Sequence, residues 1–160
     1  MTYDPVIFDF DGTLADTGDW FMTATNKAAD RFGFRRMSRP EFDELRSKGK
    51  REIIAHMGVP FWKLPAIAAF MRRQAEANAS EIRLFAGVEA VLSSLKAAGA
   101  HIAIVSSNRE TVVRAALGDN VRHIDHFGCG ASLFGKAGHF RWLLKATSLA
   151  PVRVMSIGDE

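Results

Sequence analysis

The sequence PVIFDFDGTLADT, residues 5–17, decides how this chain is interpreted. A short apolar run leads into Asp9, Phe10 and Asp11, and a glycine and a threonine follow at once. Because a desolvated carboxylate is costly, two acids at the end of a buried strand need a reason. The candidates are a bound metal, a catalytic role, or a turn that leaves both acids in water. The stretch predicts a short buried strand over residues 5–10 that ends at such a place.

Composition predicts one packed domain of ordinary size with a small insert. The chain has 160 residues, of which 48% are apolar, and this is enough for a core. No run approaches the roughly 18 apolar residues of a membrane span, and the N-terminus lacks the pattern of a signal peptide. The single cysteine, Cys129, excludes an internal disulfide. We therefore expect a reducing, cytoplasmic setting and no membrane partner.

The basic charge is concentrated in one segment. Residues 16–85 hold 13 Lys and Arg against 9 Asp and Glu, within a net charge of +3 for the chain. This excess is typical of a solvated helical surface, and it also fits a surface that attracts an anion toward an acidic, metal-holding core. A dense basic patch with interleaved aromatic residues is missing from the sequence, so nucleic-acid binding is not predicted.

Periodicity divides the chain into a helical segment and an alternating segment. Helical patterns cover residues 21–33, 40–58 and 60–80, with a break expected at Pro65 and with Phe61 and Trp62 expected in a core. Strands are then predicted at 101–108, 128–132 and 152–160, and helices at 87–100, 109–118 and 136–149. Strands that alternate with helices predict an α/β fold, with a parallel sheet covered on both faces. Residues 16–85 would be a helical insert after the first strand.

Polar residues follow each predicted strand, at the sheet edge where α/β proteins place their chemistry. They are Asp9–Thr13, Ser106–Asn108 and Gly158–Glu160, with Lys136 just before a helix. Carboxylates hold a hard cation such as Mg²⁺, and a lysine with hydroxyl or amide donors holds an anion, naturally a phosphate, beside it. Each group alone could be a turn, a helix cap or a solvated lysine. Their convergence on one edge favours a functional site.

Four of these segments resemble the motifs of one enzyme superfamily. They are DFDGTL at 9–14, IVSSN at 104–108, the lysine of FGKAG at 134–138, and SIGDE at 156–160. In this order they resemble the phosphatase branch of the haloacid dehalogenase superfamily over nearly the whole chain. REIIAHMGVP at 51–60 and LFAGVEAVLSSLKAAG at 84–99 resemble phosphoglycolate phosphatase-like members. The resemblance implies a Rossmann-like core, residues 1–15 and 86–160, and a small helical cap, residues 16–85.

The resemblance also assigns catalytic and metal-binding roles. Asp9 would be the nucleophile that accepts the phosphoryl group, and Asp11 the general acid for the leaving alcohol and then the base for the hydrolytic water. Lys136 would neutralise Asp9 and the transferring group. Asp9, the Asp11 backbone carbonyl and Asp159 would hold Mg²⁺.

The phosphate-binding roles fall on a second set of residues. Ser106, together with the backbone amides of Ser107 and Asn108, would grip the phosphoryl oxygens, and Lys136 would contact the same group. Gly12 would let the backbone approach the phosphate closely, since it carries no side chain.

The implied activity is Mg²⁺-dependent hydrolysis of a small phosphate monoester, phosphoglycolate-like, through an aspartyl phosphate. The substrate would be a small phosphorylated metabolite. A phosphomutase of the same superfamily stays open, as does a phosphonate hydrolase with a cap lysine. The chain stops at GDE, so the C-terminal end of the core is expected to be missing. That leaves two further alternatives, a non-catalytic phosphate- or Mg²⁺-binding module and pairing of the exposed sheet edge in a homodimer.

Overall fold

The structure is a computed structural model that describes residues 5–45, 48, 50–130 and 154–158. Internal contacts divide the chain into two compact units. The first, here the sheet unit, comprises Met1–Thr17 and Asn78–Asp159, and the second, the helical unit, comprises Gly18–Ala77. The sequence predicts an insert that extends to residue 85. In the structure, residues 78–85 group with the sheet unit, because Arg83 and Leu84 pair with Asp16 and Ala15.

The described part of the sheet unit contains six strands and two α-helices. The strands are β1 (Val6–Asp9), β2 (Ala15–Asp16), β3 (Arg83–Leu84), β4 (Ile102–Val105), β5 (His126–Gly128) and β6 (Met155–Ile157), and the helices are α5 (Val88–Ala97) and α6 (Glu110–Leu117). Four strands form one sheet in the order β5-β4-β1-β6, and every pair in it is parallel. The predicted α/β architecture with a parallel sheet is therefore confirmed.

The two central strands are buried because apolar side chains point to both faces of the sheet. Ile7 in β1 and Ile102 to Ile104 in β4 have no exposed surface. A parallel sheet covered on both faces requires this continuous apolar run instead of an alternating one. The sequence VIF before Asp9 therefore specifies a central strand, and the polar residues are left to its carboxyl end.

A small antiparallel pair, β2 with β3, was not predicted. Ala15 lies opposite Leu84, and the N–H of Phe85 donates to the Leu14 carbonyl at 3.0 Å. Strands of two residues are too short to show a periodic pattern, which is why the sequence does not indicate them. The strand predicted at 128–132 also lies earlier, at His126–Gly128.

The described residues of the helical unit form four α-helices, α1 (Gly18–Phe32), α2 (Arg39–Leu45), α3 (Lys50–His56) and α4 (Leu64–Ala77). Its core contains Met37, Phe42 and Met57 among its buried side chains. Pro65 lies in the first turn of α4, where a missing N–H costs nothing. The predicted break in the stretch 60–80 lies just before it, where the 3₁₀ turn Phe61–Lys63 ends and α4 begins. Among the helices in the described ranges, none is both long and apolar enough to cross a membrane.

Several arginines in the described part of this unit contact neighbouring side chains. Arg35 pairs with Glu41, and Arg36 pairs with Asp30 at 2.9 Å. The Arg31 guanidinium lies 5.4 Å from the centre of the Phe70 ring. These contacts support the interpretation of a solvated helical surface more than that of a surface kept free for an anion.

Phe61 and Trp62 do not belong to the core of the helical unit, so that expectation is wrong. Their exposed fractions are 77% and 80%. They form a 3₁₀ turn with Lys63 before α4, and Lys63 Nζ donates to the Phe32 carbonyl at 2.6 Å. The turn places the two rings outward while the lysine packs back, a choice that apolar character alone does not indicate.

Asp125, which directly precedes β5, forms hydrogen bonds to β4 and to α5. Its Oδ2 accepts the N–H of Ile102, at the start of β4, at 2.7 Å. Lys96 of α5 donates to both carboxylate oxygens at 2.9 and 2.8 Å. Burial acts to raise the pKa of Asp125, but the hydrogen bonds from Lys96 and Ile102 outweigh it and leave the pKa below 3.8.

We expect Asp125→Ala to lower the free energy of unfolding by about 1–3 kcal/mol at pH 7, because it removes these charge-assisted hydrogen bonds. Since the folded-state pKa is depressed, the contribution is present above about pH 4 and is lost as the pH falls through the folded pKa. Urea unfolding between pH 7 and pH 3.5 measures the effect. Asp125→Asn, which can still accept the N–H of Ile102, should lose less. A difference between parent and Ala variant that persists undiminished at the lowest pH would contradict this account.

Candidate active site

The carboxyl ends of β1, β4 and β6 meet at one edge of the sheet. Asp9 ends β1 and lies opposite Val105, the last residue of β4. Ile157 ends β6 and pairs with Phe8, so Gly158 follows beside Asp9. In open α/β sheets this edge is where ligands bind. The structure thus places the first acid of the DFDGTL motif at the centre of that edge.

Asp9 is held closely by its surroundings. Its Oδ1 accepts the N–H of Phe10 at 2.7 Å. A Cβ atom added to Gly158 would lie 3.3 Å from the Asp9 Cβ, closer than side chains ordinarily pack. Glycine at 158 therefore lets β6 approach the carboxylate without displacing it.

The segment after Asp9 turns sharply. Phe10 has no exposed surface, and its carbonyl accepts the N–H groups of Leu14 and Ala15 at 3.0 and 2.9 Å. Gly12 has φ +74°, a left-handed conformation that glycine adopts without strain. The buried Thr13 hydroxyl lacks a hydrogen-bond partner within the described residues. Buried Phe10 and the turn together fix the backbone on which Asp11 sits.

The residues after β4 form a second tight structure at the same edge. Ser106 is fully buried, and its hydroxyl accepts the backbone N–H of Asn108 at 3.0 Å. The N–H of Ser106 donates to the Gly128 carbonyl at 3.1 Å, and the Asn108 carbonyl accepts the N–H of Gly130 at 2.7 Å. Ser107 lies between them and is half-buried. These hydrogen bonds attach the loop that follows β4 to the end of β5.

The two loops meet through one side chain. Asn108 Nδ2 lies 3.0 Å from both carboxylate oxygens of Asp11. Asn108 is 8% exposed and Asp11 is half-buried, so the contact is partly shielded from water. Sequence reasoning assigned only the backbone amide of Asn108 to the site and missed this side-chain role. The signal that was available was a third polar residue in a row, three positions beyond Val105, the last residue of a buried strand.

The helix-cap interpretation of Ser106 and Ser107 is wrong. The N-cap of α6 is Arg109, and the structure records no side-chain hydrogen bond from it to the first turn of that helix. The Ser106 hydroxyl instead accepts from Asn108 inside the loop. Both serines therefore precede the cap and lie at the strand edge.

The remaining predicted site residues lie outside the described part of the chain. Lys136 and Asp159 both fall there, so their positions stay predictions. Within the described residues, no group of three His, Cys, Asp or Glu side chains forms a metal cluster. Two of the predicted Mg²⁺ ligands, the Asp9 carboxylate and the Asp11 backbone carbonyl, lie within the described residues, and both are of the hard oxygen type that suits Mg²⁺. This part of the predicted magnesium site therefore fits in kind, and the third ligand, Asp159, stays a prediction.

Comparison with known proteins shows which family these motifs are similar to. The sequence model for haloacid dehalogenase-like hydrolases matches residues 6–160. A phosphoglycolate phosphatase from Synechococcus elongatus is 27% identical over 157 residues, which cover 97% of this chain and 74% of that protein. Another, from Xanthomonas campestris, is 30% identical over 118 residues, 70% of this chain and 52% of that protein. The chain thus aligns with about half the length of the second relative.

Solved structures share the fold. A haloacid dehalogenase-like hydrolase from Streptococcus pneumoniae superposes with a TM-score of 0.76 at 17% identity, covering 98% of this chain and 75% of that one. CbbY from Rhodobacter sphaeroides, solved with phosphate, superposes with a TM-score of 0.68 at 23% identity, covering 97% and 77%. These matches confirm the Rossmann-type α/β fold of the superfamily.

The predicted resemblance to phosphoglycolate phosphatase-like hydrolases is therefore confirmed at the level of the family. The family match covers nearly the whole chain, and Asp9 lies at the carboxyl end of the central strand β1. This chain belongs to the haloacid dehalogenase-like hydrolase family.

Proposed function

We propose that this chain is a Mg²⁺-dependent phosphatase that hydrolyses a small phosphate monoester through an aspartyl phosphate on Asp9. The observation that carries the proposal is the contact of Asp11 with Asn108, beside Asp9 at the carboxyl edge of the sheet. Two acids, one at the end of the central strand and one oriented by a buried amide, can divide nucleophilic and proton-transfer roles. The substrate would be a small phosphorylated metabolite.

In this proposal the chain's own residues perform each step. The Asp9 carboxylate attacks phosphorus, and the bond between phosphorus and the leaving oxygen breaks. Asp11 gives a proton to that oxygen, and later takes one from the water that cleaves the aspartyl phosphate. Ser106 and the amide of Ser107 bind the phosphoryl oxygens, and the Asn108 amide, which donates to the Ser106 hydroxyl at 3.0 Å before substrate binds, would turn to the same oxygens. Most of the catalysis would come from this positioning and from charge stabilisation.

The cation and the lysine supply positive charge in the same proposal. Asp9, the Asp11 carbonyl and Asp159 would hold Mg²⁺, and Lys136 would lie against the transferring group. Bound Mg²⁺ neutralises the negative charge of the phosphoryl group during transfer. The helical unit would be the cap of the family, and a cytoplasmic setting remains part of the proposal because the chain has one cysteine.

Removal of the metal tests the reaction class. We expect release of phosphate from 4-nitrophenyl phosphate in Mg²⁺, and a loss of roughly 10²-fold or more in EDTA, since the cation is worth several kcal/mol of transition-state stabilisation. Excess Mg²⁺ added back should restore the rate. An equal rate with chelator would contradict the metal requirement, and absence of release from folded protein that binds Mg²⁺ would favour a binding module.

A panel of esters then tests the substrate. Phosphoglycolate comes first, because the curated relatives named above are phosphoglycolate phosphatases. Nucleoside monophosphates and sugar phosphates follow at equal concentration. With glucose 1-phosphate, an isomeric sugar phosphate in place of free phosphate would favour a phosphomutase.

A further inference from the structure

The contact between Asn108 and Asp11 joins residues 97 positions apart in the sequence. A carboxylate only accepts hydrogen bonds, so the NH₂ end of the amide must face it. The nitrogen lies 3.0 Å from each oxygen, which is ordinary hydrogen-bond distance. The amide therefore fixes the direction in which the Asp11 carboxylate faces.

Asn108 is itself rigidly held. Its backbone N–H donates to the Ser106 hydroxyl at 3.0 Å, and its carbonyl accepts from the Gly130 N–H at 2.7 Å. Ser106 is fully buried and Asn108 nearly so. A side chain on so fixed a backbone can hold a partner in one orientation at little further entropic cost.

The backbone of Asp11 is fixed by different contacts, which leave its side chain to be oriented separately. Buried Phe10 anchors the preceding position, and Gly12 turns the chain after it. Neither contact sets the rotamer of Asp11. The hydrogen bond from Asn108 acts on the carboxylate itself.

We propose that the Asn108 side chain is a positioning residue that aims the Asp11 carboxyl group at the leaving oxygen; this inference rests on the proposed phosphatase function. As Asp9 forms its bond to phosphorus, the bond from phosphorus to the ester oxygen breaks and its electron pair stays on that oxygen. The Asp11 O–H bond breaks and its proton moves to the same oxygen, which leaves as the alcohol. The Asn108 amide, whose nitrogen lies 3.0 Å from both oxygens of Asp11, fixes the orientation of the carboxyl group and so the direction in which it presents its proton.

The dependence of rate on the leaving group tests this role. Phenyl phosphate and 4-nitrophenyl phosphate have nearly the same shape, but phenol is a far poorer leaving group and needs a proton more. We expect Asn108→Ala to lower kcat/KM for phenyl phosphate about 10-fold more than for 4-nitrophenyl phosphate, because general acid catalysis contributes roughly 10²–10⁴-fold. A role in phosphate binding or in folding would lower both values alike.

Asn120→Ala is the matched control. Asn120 lies in the same unit, and its Nδ2 donates to the Leu117 carbonyl at 3.2 Å. The Asn120→Ala substitution removes an amide of the same kind at a position away from the site, so it should leave the ratio of the two kcat/KM values unchanged. If Asn108→Ala fails to fold, Asn108→Ser serves in its place, because it keeps a polar group that is too short to reach Asp11.

A double-mutant cycle decides whether Asn108 acts through Asp11. In an Asp11→Asn background, Asn108→Ala should no longer change the ratio. The inference would be overturned if Asn108→Ala left the ratio of the two kcat/KM values unchanged, or if it changed that ratio as much in the Asp11→Asn background as in wild type. In either case, turnover by the wild-type chain would leave the proposed phosphatase function standing. If the folded wild-type chain with Mg²⁺ releases no phosphate from either ester, the proposed function fails and the inference fails with it.

Discussion

Asp9→Asn should abolish turnover and leave the fold intact. An amide cannot form the bond to phosphorus, so we expect the phosphatase rate to fall by a factor on the order of 10⁴ or more, as in other loss-of-nucleophile variants. The Asn Oδ1 can still accept the Phe10 N–H that Asp9 Oδ1 accepts at 2.7 Å. Steady-state assay with 4-nitrophenyl phosphate and thermal unfolding of the same preparation measure the two halves of this expectation.

The control for Asp9→Asn is the same substitution at an exposed carboxylate of the same unit. Asp119 is exposed and lies in the 3₁₀ turn Gly118–His123, so Asp119→Asn should retain the wild-type rate. Because Asp9 would also be a Mg²⁺ ligand, calorimetric titration with Mg²⁺ separates lost metal binding from lost nucleophilicity. Turnover of Asp9→Asn within tenfold of wild type at saturating Mg²⁺ would rule out the nucleophile assignment.

The second large effect is expected from Asp11→Asn, and it should depend on the substrate. We expect kcat/KM for alkyl phosphates such as phosphoglycolate to fall by about 10²–10⁴-fold, because the alkoxide would then leave without a proton. With 4-nitrophenyl phosphate the first step needs little help, but the water that cleaves the aspartyl phosphate still lacks its base. Nitrophenol should therefore appear in a burst of one equivalent per enzyme, followed by slow turnover.

Rapid mixing with 4-nitrophenyl phosphate resolves the burst of Asp11→Asn from its steady state. Wild type is the reference and Asp9→Asn is the blank, since it cannot form the intermediate. A linear time course without a burst, together with an equal loss on alkyl and aryl esters, would show that Asp11 contributes to binding or to structure and not to proton transfer.

Local sequence determines the central strand and the identity of its acids. The run Val6–Phe8 is too apolar to lie anywhere but the middle of a sheet, and residues 102–105 repeat that pattern. Alternation of such strands with amphipathic helices specifies a parallel sheet, whose carboxyl edge must then carry Asp9 and the serine loop. Periodicity and motif spacing are properties of neighbouring residues, so one sequence is enough to identify them.

The helical unit shows where sequence patterns give too little information. Apolar character suggests a buried Phe61 and Trp62, but the contact of Lys63 with the end of α1 turns both rings outward. The helical pattern is indeed divided near Pro65, but the division lies just before it, between the turn 61–63 and α4, because proline is tolerated in the first turn of a helix. The orientation of the two rings, by contrast, depends on a contact between residues 31 positions apart, which the local pattern does not indicate.

The sequence by itself determined that this protein has a parallel α/β sheet, a helical insert and a pair of acids at the strand edge. Only the tertiary structure decided that Asn108 meets the Asp11 carboxylate, that Gly158 lies against Asp9, and that Asp125 joins β4 to Lys96 of α5. The reason is physical: patterns of strand and helix depend on near neighbours, whereas the orientation of a charged side chain such as Asp11 depends on donors distant in sequence, here Asn108 at 3.0 Å, that folding brings to it.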